Sequence, residues 1–297
     1  MSATPVAAPT EGRPADPDGT LGHVPTTFQQ VFLLSRYQFR DYLRSRRFIL
    51  MMAIVAATGA ILTTVVAYFR PSSLIDNAND FYGGLWAGGA TFLILFAGII
   101  FGGDAIAGEF QNKTGYFLMG LPVRRATVYA GKYLAVLMAS LVSILVYLAI
   151  VVGNGTYYLG FGAFTDFGQL IESILLAILY LLALMGFVFL FSSMFKTSVY
   201  AVLVVAVLFL FGFSIVQTVI LDLAHIEPWF MLSYANGVIS YPLTGVPAHI
   251  THVRNPFTRV TATTYSPTYL EGIGVMLAYW LGTTFAGLFF FEREEFT

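Results

Sequence analysis

The sequence predicts an all-α integral membrane protein, with six transmembrane helices preceded by a cytoplasmic amphipathic interfacial helix. Three observations carry that reading. Of the 297 residues, 57% are hydrophobic and only 10% charged, with a mean hydropathy of +0.76; soluble domains carry roughly 25% charged residues. Apolar runs approaching the ~20 residues that cross ~30 Å of hydrocarbon recur six times along the chain. Lys and Arg gather in alternate connections, as the positive-inside rule requires of a multi-pass protein. A chain this poor in charge cannot cover its own surface with water-compatible groups, so lipid must cover much of it.

The elements follow in order. Residues 1–26 are rich in Pro, Ala, Thr and Gly and cannot bury a core, which predicts a disordered tail. Over 27–47 the pattern changes to an amphipathic connecting helix. Phe28, Val31, Phe32, Phe39, Tyr42 and Leu43 recur at near-helical spacing, and Arg36, Arg40, Arg44, Arg46 and Arg47 fill much of the remainder. Such a basic helix lies along the headgroup plane. Residues 48–297 hold the six-span domain, with spans expected near Phe48–Phe69, Leu85–Gly103, Tyr133–Val152, Ser173–Phe195, Val199–Leu221 and Gly272–Phe291. Lys196–Ser198 makes a tight turn between the fourth and fifth. Twelve Lys and Arg fall on one side, while Arg70, Arg254 and Arg259 fall on the other. Both termini and the loop 104–125 are therefore expected in the cytoplasm, and residues 222–268, with five prolines, outside.

What the chain lacks narrows its function. A net charge of −1 excludes a nucleic-acid reader held by bulk positive charge, and the absence of cysteine excludes thiol catalysis and Cys-ligated zinc. No apolar core precedes Phe48, so no secretory signal is expected. No ionisable residue lies mid-span, which argues against proton relays, voltage sensing and intramembrane proteolysis. Glu172 and Glu271 sit at the outer entrances of spans four and six. Gly131-Lys132 is not a phosphate loop, because Ala126 and Tyr133 stand where the Walker pattern needs Gly and Ser or Thr. Asp222, His225, Glu227, His249 and His252 in the outer loop contain possible metal ligands in weak patterns, and no metal site is expected from them. Two small-residue pairs in span two, Gly84-x-x-x-Gly88 and Gly98-x-x-x-Gly102, suit close helix packing within the chain or against a second copy.

The most informative stretch runs from Gly102-Gly103-Asp104-Ala105-Ile106-Ala107-Gly108-Glu109-Phe110-Gln111 through Thr114-Gly115 to Pro122-Val123-Arg124-Arg125 and Gly131-Lys132. Asp104 to Gln111 can continue span two as a short polar helix that Gly115 stops. This stretch resembles the membrane subunit of type-2 ATP-binding-cassette (ABC) exporters. The loop after span two in that family reads roughly Asp-x-Ile-x-x-Glu, Gly-Thr or Thr-Gly, Pro-Val-x-Arg and Gly-Lys. The tail Phe291-Glu292-Arg293-Glu294 is similar to that family's ending, and the basic helix before span one to its connecting helix. One departure is Thr114-Gly115 where many members read Gly-Thr.

The resemblance implies a half-transporter. Two copies, or this chain and a related one, would form the substrate path, each docked on a separate ABC ATPase subunit that holds ATP and Mg. This chain would bind no cofactor of its own. Coupling to the ATPase would fall to Asp104, Ile106, Glu109, Phe110, Thr114, Gly115, Pro122, Arg124 and Arg125, with 104–116 as a coupling helix seated in a groove of the partner. Arg36, Arg40 and Arg44 would mark the connecting helix. The expected location is the plasma or inner membrane, in contact with lipid. Two rival readings are a membrane-embedded enzyme using the outer-loop histidines and a passive channel or scaffold.

Overall fold

The computed structural model describes residues 26–69, 77–112, 123–160, 167–221, 226–254 and 261–293. The expected tail falls almost wholly outside these, as do Thr114, Gly115, Pro122, Asp222 and His225.

The first helix, Thr27–Arg44, opens on a reciprocal cap in which the Thr26 amide donates to Gln29 Oε1 and the Gln29 amide to Thr26 Oγ1. It ends at Ser45, whose extended backbone breaks the helix and whose hydroxyl oxygen accepts from the Phe48 amide, starting the next one. The expected helix over 27–47 is thus shorter by its last arginines, and Arg46 and Arg47 open span one. Along the first helix Leu34, Ser35, Gln38 and Tyr42 turn inward, whereas Arg36, Arg40 and Arg44 are exposed.

Among the described residues, six helices are long and apolar enough to cross a membrane: Arg46–Phe69, Ala78–Gln111, Arg125–Leu159, Phe167–Met194, Ser198–Val219 and Tyr269–Arg293. Each contains most of one expected span and several overrun it, because helices continue past the hydrocarbon where apolar residues give way to polar ones. Span two is the most deeply buried in the bundle, and spans five and six are the least. Two π-helical stretches, Gly83–Ala87 and Gly98–Gly102, interrupt span two.

The two glycine pairs of span two serve different ends. A Cβ on Gly98 would lie 2.7 Å from Leu184 Cδ2, and one on Gly102 would lie 2.9 Å from Val188 Cγ1, so this pair admits span four of the same chain. Gly84 and Gly88 are exposed, and a Cβ on Gly88 would meet nothing within 4 Å among the described residues.

The segment between spans five and six is more structured than its prolines suggest. Leu232–Ala235, a 3₁₀ turn over Asn236–Ser240 and Tyr241–Thr244 form a broken helical stretch. Leu232, Ala235, Val238 and Ile239 in it are essentially inaccessible. Its backbone is tied into the bundle: the Trp86 indole donates to Ser173 Oγ (3.0 Å), and the Ser173 hydroxyl donates to the Ile239 carbonyl (2.6 Å). An antiparallel hairpin follows, β1 (Ile250–Arg254) and β2 (Thr261–Tyr265), with Ile250 opposite Tyr265.

Candidate functional site: a polar hub at one end of the bundle

Span two does not run smoothly into the loop that follows it. Residues 103–106 form a turn, and a short helix, Ala107–Gln111, resumes beyond it. The break strands backbone groups that a continuous helix would pair, and buried amides must find partners elsewhere. The Ile106 and Ala107 amides both donate to Ser192 Oγ of span four, at 3.0 and 3.1 Å. The Ala105 carbonyl accepts from the Lys132 ammonium of span three at 2.9 Å.

Lys132 is the centre of this region. Its side chain is 4% exposed, and its Nζ lies 2.6 Å from Glu109 Oε1, itself 20% exposed. One residue earlier, a Cβ on Gly131 would lie 2.6 Å from Leu34 Cδ2, so the absence of a side chain there lets the first helix lie against span three. The Gly131-Lys132 pair therefore has a physical reason: one residue admits a neighbouring helix and the next clamps the turn.

The remaining elements converge on the same few residues. Asp104 Oδ2 pairs with Arg47 Nη1 at 2.5 Å, joining the start of span one; Arg47 is half exposed and Asp104 is 11% exposed. Asp104 Oδ1 is buried and has no hydrogen-bond partner among the described residues. The Tyr42 hydroxyl of the first helix donates to the Phe101 carbonyl (3.3 Å), and the two rings meet edge to face. Burial, and then the Asp104 carboxylate, push the Tyr42 phenol well above its ordinary range. Gln111 Oε1 accepts from the Ser198 amide at the start of span five (2.9 Å). Phe110 packs edge-on against Phe291 of span six. Arg125 donates to the Glu292 carbonyl at 2.8 Å. The segment from Asp104 to Gln111 thus touches the first helix or span one on one side and spans three to six on the others.

Of the residues expected to couple this chain to a partner, Asp104, Ile106, Glu109 and Phe110 come together at the hub, and Arg125 lies beside them. Their surroundings differ from a free surface helix. Ile106 is wholly buried, and Asp104 and Glu109 are paired within the chain. Arg124 caps span three and is exposed. Lys132, Ser192, Arg47 and Tyr42 were not singled out as site residues from sequence. The Gly131-Lys132 pair of the loop motif, just before the third expected span, is the sequence signal for the first, and the Ser192-Ser193 pair near the end of span four for the second.

At the opposite end of the bundle, two of the weak outer-loop candidates meet. His249 Nε2 lies 3.2 Å from Glu227 Oε2, and Glu271 of span six joins them: one ligand atom from each lies within 4.8 Å of the others. The hydrogen bond to the Ser266 carbonyl, and then the nearby Glu227 and Glu271 charges, hold the His249 pKa above its usual value.

Residues 33–296 match the ABC-2 family transporter proteins. No curated protein matches the chain. That match covers the first helix from Leu33 onward, all six spans and the hub, and the chain belongs to the ABC-2 transporter family as a multi-pass membrane permease component.

Proposed function

We propose that the chain is the permease subunit of an ABC exporter, working as a dimer and driven by a separate ATP-hydrolysing subunit docked at the hub. The observation that carries this is the convergence of all six spans and the first helix on residues 101–111. A push on this one segment would reach every span through direct contacts, which is what a chain without its own nucleotide site needs in order to be driven from outside. The paired carboxylates and Ile106 hold the segment to the bundle. The exposed Arg124 would face the ATPase, and we assign Thr114, Gly115 and Pro122, which lie outside the described residues, to the same contact. Both termini and the hub would lie in the cytoplasm.

The first helix fits an interfacial role. Phe28 is 80% exposed, Phe32 and Tyr37 are exposed alongside Arg36, Arg40 and Arg44, and such a face suits acyl chains at its edges and phosphates along its centre. The outward-facing Gly84 and Gly88 support a second permease copy against span two. A groove of about 540 Å³ between spans one, two and five, lined by Leu50, Ile99, Val202 and Leu203 with Arg47 and Asp104 at one end, supports an apolar or amphiphilic path beside it.

The test is extraction of the chain from its native membrane in mild detergent. A stoichiometric ATPase subunit should accompany it, Arg124→Glu should reduce that recovery several-fold, and the chain stripped of partners should hydrolyse no ATP. ATP hydrolysis by the isolated chain, or transport in vesicles holding this chain alone, would refute the reading.

A further inference from the structure

We propose that Glu227, His249 and Glu271 form a binding site for a divalent transition-metal ion, Zn²⁺ first, at the end of the bundle opposite the hub. The argument starts from His249. Its Nδ1 lies 2.8 Å from the Ser266 carbonyl, and the His249 carbonyl accepts from the Ser266 amide at 2.9 Å, which fixes the ring on the hairpin. A carbonyl only accepts, so Nδ1 carries the proton. The neutral ring therefore presents the Nε2 lone pair, and it presents it to Glu227 Oε2 at 3.2 Å. Two acceptors at that distance need a cation between them.

A proton on Nε2 supplies one positive charge to two carboxylates, whereas a divalent ion neutralises both and leaves the imidazole neutral. The supporting contacts are those that orient metal ligands elsewhere. The Tyr234 hydroxyl donates to Glu227 Oε1 at 2.6 Å, and the Thr268 amide donates to Glu271 Oε2 at 2.8 Å. Both carboxylates are thus held by one oxygen beside the imidazole. The ligand atoms lie within 4.8 Å of one another, and side-chain rotations of roughly 1 Å bring such atoms to the 2.0–2.2 Å ligand distances of zinc. An imidazole ligand disfavours Mg²⁺ and Ca²⁺, which take oxygen. The three residues come from the exit of span five, the foot of the hairpin and the first turn of span six, so a bound ion would pin the outer segment to the bundle.

The experiment uses the full chain in detergent with any polyhistidine tag removed, stripped by chelator and titrated with Zn²⁺ alone. One Zn²⁺ per chain is expected. His249→Ala and Glu271→Gln should each weaken binding by at least tenfold. The glutamine retains an acceptor for the Thr268 amide, so loss of the helix start cannot explain the effect. Tyr234→Phe should weaken binding by a smaller factor, and Asp80→Asn, an exposed carboxylate at the same end, should leave it unchanged. X-ray absorption at the zinc edge should show one imidazole in a nitrogen and oxygen shell. Absence of saturable binding, meaning a proton clasp only, overturns the proposal, and so does stoichiometric binding that survives His249→Ala.

Discussion

Truncating Glu109 to alanine removes the carboxylate held 2.6 Å from an ammonium that is 4% exposed. Lys132 would then keep the Ala105 carbonyl at 2.9 Å as its remaining partner at the hub. Breaking a buried ion pair from one side costs about 3–5 kcal/mol, because the orphaned charge stays desolvated. Glu109 is one-fifth exposed, so water partly compensates, and about 2–4 kcal/mol is expected on that scale. Lys132→Met removes the ammonium from beside the more accessible carboxylate and should cost less, about 1–3 kcal/mol, the range for a hydrogen bond to a charged group. The double variant leaves neither charge unpaired. Its loss should fall short of the sum of the singles by about 1–3 kcal/mol, the range for residues in direct contact. The assay is unfolding of the purified chain in mixed micelles, with the four proteins of the cycle compared under one condition. Losses that add to within about 0.5 kcal/mol would mean that the pair is not coupled, and the account of Lys132 as the clamp of the turn would fail.

In the neighbouring pair Arg47 is half exposed but Asp104 is 11% exposed, so Arg47→Gln leaves a largely buried carboxylate without its countercharge and should cost about 1–3 kcal/mol in the same unfolding assay. Ser192→Ala removes the acceptor of two buried amides and should cost about 1–3 kcal/mol, with faster hydrogen exchange at Ile106 and Ala107 as its signature. Gly131→Leu collides with Leu34, and should raise proteolysis within Thr27–Arg44 while the six spans remain inserted. Gly108→Trp meets Asp104 and Ser198 of the same chain, and should destabilise the purified protein without any partner present. For orientation, single cysteines at Asn79 and Thr251 should react with an impermeant thiol reagent in intact cells and one at Asn112 should not; the reverse pattern would invert the topology.

Composition and hydropathy by themselves determined the class of this protein, the number of its spans and their order. Those properties depend on the free energy of apolar side chains in lipid, which adds residue by residue along the chain and needs no knowledge of neighbours. The loop motif likewise located the region of the hub, since Asp104, Ile106, Glu109 and Gly131-Lys132 all lie in it. The partners of those residues were decided by tertiary structure alone. Glu109 meets Lys132 across 23 residues and Ile106 meets Ser192 across 86. Glu227, His249 and Glu271 gather only because the hairpin folds back against the start of span six. Buried charges and stranded amides need partners in space, and when those partners lie on other helices, only the packing of the bundle names them.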